Sequence, residues 1–312
     1  MPIFLLNARN ALRQVAMLYL IVAMGAAAER LKWFPENAAR LCTKLLLYVI
    51  TPCAIVHSFL SIDYSAEALR GLGISFACGA LLHAAGILLS EPIFHRHKNP
   101  DTDHILHFAA IYGNCGYMAL PLAQALVGGA GVFYCSAVIL TFQVFAFTHG
   151  EYVMSGRQKF QWRKAVLNAG VLSMAVGLPV FLLRLPVPAL LRQPVASVAS
   201  MNSPLAMLMF GAYLSRTNWR SLLRSKKIFA AGAIKLLLIP AAVMAALLIL
   251  RAPAPLRQAL LLSAAAPSAN NTVVFAARHG RDTGYAAQVV GVFSLLSIVT
   301  MPLMIALAMA AN

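Results

Sequence analysis

The sequence predicts an all-α integral membrane protein of ten transmembrane helices, arranged as a five-plus-five inverted repeat with broken helices at the fourth and ninth positions. Three observations predict it. The chain is 61% hydrophobic and only 11% charged, where a soluble domain carries about 25% charged residues. Its apolar residues fall in runs of the length that crosses a bilayer, about 20 residues. Two of those runs are interrupted at matching places by glycine, asparagine and proline.

The spans are predicted at 11–28, 39–60, 69–92, 104–127, 131–154, 164–185, 190–214, 227–250, 257–279 and 284–309, with 190–214 the most polar. Ten such helices and short connections use up the 312 residues and leave no length for a soluble catalytic domain. Arg9 and Arg13 precede a short apolar run ending in Ala26-Ala27-Ala28. That pattern fits a first span and equally a signal peptide with a small-residue cleavage site.

A formal net charge of +16 invites a nucleic-acid reading, but such a binder gathers its charge on one folded face. Here the charge alternates along the chain. The connections on one side of the predicted membrane carry Arg9, Arg13, Arg70, Arg184, Arg192, Arg251 and Arg257, and those on the other side carry the remaining Lys and Arg except Lys235. By the positive-inside rule the richer side is cytoplasmic and both termini face outward. Cys42, Cys53, Cys78, Cys115 and Cys135 fall inside or at the ends of spans without metal-ligand spacing and read as small apolar fillers.

Five spans precede the polar stretch Ser155–Lys164 and five follow it, so the second half enters the membrane inverted. The predicted units are a first repeat over 1–154, a short cytoplasmic linker over 155–163 and a second repeat over 164–312. The halves share marks in order. Thr51-Pro52-Cys53-Ala54 in the second span answers Ser203-Pro204-Leu205-Ala206 in the seventh, an offset of 152 residues that also relates His83 to Lys235, and 156 residues separate Asn114 from Asn270. Inverted repeats of this kind are built into secondary transporters.

The fourth span contains Tyr112-Gly113-Asn114-Cys115-Gly116-Tyr117-Met118, with Pro121 a turn later, and the ninth contains Ala266-Pro267-Ser268-Ala269-Asn270-Asn271. Proline removes a backbone donor and glycine costs about 1 kcal/mol in a helix, so neither stretch should be continuous. Helix-break positions are therefore expected at Gly113, Gly116, Pro52 and Pro204. With the two halves inverted, the half-helix after each break begins near the midplane. Both aim a partly positive N-terminus, with its exposed N–H groups, at one region, which suits an anion. Asn114, Asn270 and Asn271 can donate to a carboxylate without a permanent charge, or can serve the broken backbone instead. Tyr117, Pro121 and Pro267 complete the predicted substrate-binding stretches. Lys235, inside the eighth span, reads either as a counter-charge for the substrate or as a side chain that reaches out to the cytoplasmic surface.

The nine carboxylates all fall outside the middle of the spans, so a buried-carboxylate proton relay or sodium site is not expected. His57, His83 and His149 remain as proton carriers or as structural residues. His95, His97, Asp101, Asp103, His104 and His107 crowd one connection and read as a solvated loop with Asp101 to Asp103 capping the fourth helix, or less simply as a metal site. Gly73-Ile74-Ser75 lacks the rest of a Gly-x-Ser-x-Gly pattern. No Gly-rich Lys-Ser/Thr phosphate loop and no His-Glu-x-x-His occurs, so neither ATP hydrolysis nor zinc hydrolysis is expected of this chain, nor any cofactor.

Four segments resemble the auxin efflux carrier family. They are Leu45-Leu-Leu-Tyr48-Val-Ile-Thr-Pro52; Asn114-Cys-Gly116-Tyr-Met-Ala-Leu-Pro121-Leu followed by Gly128-Gly129-Ala-Gly131-Val; Ala265-Ala266-Pro267-Ser-Ala-Asn270-Asn271 with Phe275-Ala276; and Ser297-Ile298-Val-Thr-Met-Pro302-Leu. Ala119 stands where the pattern has glycine. The resemblance implies a fold related to the bile acid:sodium symporters, with a scaffold from spans 1, 2, 6 and 7, a transport bundle from the rest, and broken helices that cross. It also implies elevator-like motion, a homodimer, carboxylate substrates, and substrate amides at Asn114 and at Asn270 or Asn271. The short Ser155–Lys164 connection fits a bacterial, inner-membrane member. The expected function is a secondary carrier of a small organic anion, with membrane lipid and the substrate as partners. A sodium-coupled symporter and a non-transporting sensor or accessory subunit are the alternatives.

Overall fold

In hydrocarbon no water satisfies the backbone, so apolar runs of this length fold as helices that bond internally. A computed structural model describes residues 3–33, 36–94, 99–156, 167, 169–215 and 226–310, and among them every regular element is a helix. The first half holds α1 (Ile3–Arg30), α2 (36–61), α3 (Ala66–Phe94), α4 (Pro100–Ile111), α5 (Cys115–Val127) and α6 (Gly129–Ser155). The second holds α7 (Ala169–Leu182), α8 (Ala189–Ser215, with a one-residue turn at Met201), α9 (Lys226–Ile249), α10 (Ala254–Ala265), α11 (Asn271–Arg278) and α12 (Thr283–Ala310). Helices α3, α6, α8, α9 and α12 are long and apolar enough to cross a membrane, and shorter apolar helices occupy Leu46–Ser61, Cys115–Val127 and Ala169–Leu182. Of the predicted linker 155–163, all but Ser155 and Gly156 lies outside the described residues, as do His95 and His97.

The helix is not broken at Pro52, where the sequence expects a break. A π-helical turn, Leu46–Ile50, runs directly into Thr51–Ser61. The same arrangement recurs before Pro121, where the π turn is Cys115–Ala119, and before Pro240, where it is Ile234–Leu238. A proline ring clashes with the carbonyl four residues back. In each case that carbonyl belongs to the π turn (Tyr48, Tyr117 or Leu236), and the widened ring of the turn absorbs the clash without interrupting the helix. Pro204 lies in the first turn of Asn202–Ser215, just past the turn at Met201.

The helices pack in two groups. In one, α1 lies along Asn202–Ser215, and Thr51–Ser61 packs on α7 and on Ala189–Ser200. In the other, α3 packs on Gly129–Phe145, and α10 packs on α12, on α6 and on the α5 segment Leu120–Val127. Glycine sets the closest contact in the first group. A Cβ on Gly25 would lie 2.0 Å from Leu208 O, and one on Gly211 would lie 1.9 Å from Val22 O. Small residues that let backbones approach are what association in lipid rewards, since burial from water supplies no drive there. Beside this contact Thr51 Oγ1 donates to Asn202 Oδ1 at 3.0 Å, and Asn202 Nδ2 donates to Gln124 Oε1 at 3.4 Å.

The second group carries buried charge that the sequence reading left in solvent. Asp103, His104 and His107 are buried, not part of a solvated loop. Asp103 accepts from Asn99 N–H at 3.1 Å, as a capping residue does, and pairs with Lys227 at 2.6 Å. Glu151 is also fully buried at the end of α6, held by Arg278 and by His279 Nε2, the latter at 2.5 Å. His104 Nδ1 lies 2.5 Å from Val153 O, and Arg281 Nε donates to Met154 O at 3.3 Å. These contacts tie α4, α6, α9 and α11 together at one end of the group.

Gly211→Ala should force α1 away from α8, since the added methyl meets backbone rather than a movable side chain. Overpacking of this kind costs about 1–3 kcal/mol. The expected outcome is a lower unfolding midpoint for the detergent-solubilised protein, read by intrinsic fluorescence, whereas Gly73→Ala, in mid-helix with a Cβ that meets nothing within 4 Å, should hold or raise it.

Candidate functional site

Two interruptions meet in the second group. Helix α4 stops at Ile111, residues 112–114 are not helical, and α5 starts at Cys115; α10 stops at Ala265, and α11 starts at Asn271 after residues 266–270. The local causes are readable. Pro267 disfavours the helical region for the residue before it, and Ala266 is indeed extended at φ −59°, ψ 136°. Asn114 takes φ −81°, ψ 61° and caps α5 by accepting from Tyr117 N–H at 3.1 Å.

The interruptions satisfy each other. Gly113 and Ser268 form an isolated antiparallel bridge. Asn114 N–H donates to Pro267 O at 2.7 Å, and Ala269 N–H donates to Tyr112 O at 2.9 Å. Ser268 Oγ and Thr272 Oγ1 are 3.0 Å apart, both fully buried. Four half-helix ends thus abut the bridge: the C-terminal ends of α4 and α10, and the N-terminal ends of α5 and α11. Helix ends carry about half a charge each, negative at the C-terminus and positive at the N-terminus.

On the positive side the molecule is hollow. A cavity of about 570 Å³ lies between the two helix groups, with Asn114, Tyr117, Asn270 and Gln288 on one wall and Phe210 and Tyr213 on the other. A smaller one of about 80 Å³ is lined by Thr51, Asn114, Gly116, Gln143, Asn270 and Asn271. Asn114, Tyr117 and Asn270 border both. The amides are not equivalent. Asn114 Oδ1 is committed to its cap, while Asn270 makes no side-chain cap bond, so its amide is available to the cavity.

A family model described as a membrane transport protein matches residues 10–160 and 153–305. The chain belongs to the auxin efflux carrier family. It is a membrane transporter and a multi-pass integral membrane protein. No curated protein matches the chain.

Within this carrier the sequence-predicted residues separate. Asn114, Tyr117, Asn270 and Asn271 line cavity, and Gly113 sits in the bridge, whereas Gly116 lies in the π turn that opens α5, so the break expected there falls at residues 112–114 instead. Pro121 is buried in α5 and borders neither cavity. Pro267 contributes its carbonyl to the bridge. The exposed backbone N–H groups expected at the midplane are fewer than the sequence suggests, because those of Asn114 and Ala269 are spent on the opposite break. Lys235 does not reach out to the surface. It is fully buried, donates to Ala264 O at 3.0 Å and borders neither cavity. Sequence reasoning missed Gln143, whose buried Oε1 has no hydrogen-bond partner among the described residues, and Gln288. An uncharged amide inside an apolar run was the available signal for both.

Gly113 and Lys235 share one space, since a Cβ on Gly113 would lie 2.7 Å from Lys235 Nζ and 3.2 Å from Ala266 O. Gly113→Ala should therefore cost about 1–3 kcal/mol when Lys235 is present and less beside Lys235→Ala. A double-variant cycle on unfolding midpoints should give a coupling of about 0.5–3 kcal/mol; additive effects would rule out the shared space.

Proposed function

We propose that this transporter is a secondary carrier of a small organic anion, a carboxylate, working by alternating access in a bacterial inner membrane with both termini outside. The observation that carries this reading is the cavity beside the bridge. It is bordered by uncharged amides and the phenols of Tyr117 and Tyr213, it adjoins two helix N-termini, and it lies where the two helix groups face each other. N–H groups and helix N-termini attract an anion without a fixed countercharge, so the cargo can be released as well as held. A site at an interface between groups can open to either side as one group moves against the other.

The same reading takes the ten predicted spans as a five-plus-five inverted repeat with crossing fourth and ninth helices. Contacts between counterpart segments support it: Thr51 bonds Asn202, and Gly113 bridges Ser268. The first packing group then serves as a scaffold, the second as the moving bundle, and two copies associate as a homodimer.

The test is a thermal-shift panel of mono- and dicarboxylates on the purified protein. A ligand at 100 times its Kd stabilises by about 2.7 kcal/mol, so at least one acid should raise the midpoint by several degrees. Asn270→Ala should abolish that shift while leaving the ligand-free midpoint in place, because its side chain caps nothing. Asn114→Ala should abolish it and also lower the ligand-free midpoint, by about 1 kcal/mol for the lost cap. A carboxylate shift that survives the double variant would refute the site.

A further inference from the structure

Lys235 is the one cation predicted inside a span, and its surroundings are specific. It sits in the π turn Ile234–Leu238 that precedes Pro240, and its side chain is fully buried. The ammonium donates to Ala264 O at 3.0 Å. Ala264 is the penultimate residue of α10, so its carbonyl is among the last four that a helix leaves without an internal partner. The position beside Gly113 lies within 2.7 Å of Nζ and 3.2 Å of Ala266 O, so a second carbonyl of the break stands close by. Among the described residues no carboxylate pairs with Lys235. The described ion pairs instead join Asp103 to Lys227, Glu151 to Arg278 and His279, and Glu91 to His107.

An ammonium held by a carbonyl at a half-helix C-terminus, beside the unwound stretch of a transporter, occupies the kind of place where such proteins bind a coupling cation. Half-helix C-terminal ends and unwound carbonyls supply oxygen ligands and partial negative charge there, and no carboxylate is required. We propose that Lys235 is a tethered replacement for a free alkali cation: its ammonium fills the negative end of the α10 break, so that the carrier is assembled for transport without sodium. The π turn is then a positioning device. It absorbs the Pro240 clash and directs the side chain at residue 235 toward the break. The proposal accounts for a buried lysine that has no acid partner and faces neither cavity. It concerns the coupling ion rather than the cargo, so it stands apart from the carboxylate reading.

The experiment needs no substrate, which keeps its failure separate from a failure of that reading. Unfolding midpoints of the full chain in detergent are measured in sodium, potassium and choline chloride at equal ionic strength, for the wild type, Lys235→Ala, Lys235→Gln and Lys235→Met. The wild type should give coincident midpoints in all three salts. Lys235→Ala and Lys235→Gln should unfold earlier in choline and recover by several degrees, saturably, in a salt of a small alkali cation. Lys235→Met fills the space with an apolar chain and should not recover. A sodium-specific stabilisation of the wild type would overturn the proposal. So would Lys235→Ala and Lys235→Gln that respond alike to sodium and choline, or Lys235→Ala that fails to fold in every salt beside a salt-indifferent Lys235→Gln.

Discussion

The centre of this carrier depends on two backbone hydrogen bonds, from Asn114 N–H to Pro267 O and from Ala269 N–H to Tyr112 O. In a soluble protein a broken helix can turn its freed groups to water. In hydrocarbon each such group costs several kcal/mol if left alone. Either interruption by itself would therefore be a fault in a transmembrane helix. Brought together, each supplies the donor and the acceptor that the other has lost, and the pair becomes tolerable where neither alone would be. The rest of the site follows from this pairing: four helix ends are held against one bridge, two of each sign, in a medium that screens charge poorly.

The signs of those ends divide the labour. The N-terminal ends of α5 and α11 adjoin the cavities bordered by Asn114, Tyr117 and Asn270. The C-terminal end of α10 receives the Lys235 ammonium. The contact between Thr51 and Asn202 and the bridge between Gly113 and Ser268 join residues 151 and 155 positions apart, close to the 152-residue offset that relates Pro52 to Pro204 and His83 to Lys235. Under a two-fold repeat, a residue can touch its own counterpart only near the axis. The contacts thus fall where an inverted repeat would put its axis, and the helix breaks fall with them.

Much of this was legible in the sequence, for a physical reason. Glycine, asparagine and proline in the middle of an apolar run announce a helix that cannot continue, so Gly113, Asn114 and Pro267 marked the interruptions without coordinates. What one sequence position does not carry is the partner that a freed group finds. Hence the sequence does not show that the Asn114 oxygen is taken by Tyr117 N–H, or that the N–H groups expected to face an anion are partly spent across the bridge. Lys235 was legible as an anomaly but not in its target, which lies 29 residues away on another helix. Pro52 was over-read, since a π turn absorbs the ring clash with no sequence signature beyond the proline itself. Asp103 and Glu151 were under-read, because their burial depends on Lys227 and Arg278, well over 100 residues distant.

The packing also bears on how an alternating-access carrier of this shape would move. The bridge, Lys235, the Glu151 cluster and the Asp103–Lys227 pair all lie within the second helix group. Separating the buried Asp103 and Glu151 carboxylates from their partners would leave uncompensated charge, and opening the bridge would orphan backbone groups in lipid, so this group should travel as a rigid body. The first group is fixed by backbone contact at Gly25 and Gly211, where the helices have no slack. What remains to slide is the surface between the groups. That surface holds the larger cavity and is formed by apolar and uncharged polar side chains such as Met118, Met209, Phe210 and Tyr213. Sliding such side chains past one another forfeits weak contacts that are regained at each step. On the proposed reading, the low barrier that transport requires is set at the surface that holds the larger cavity, and the strong interactions are kept away from it.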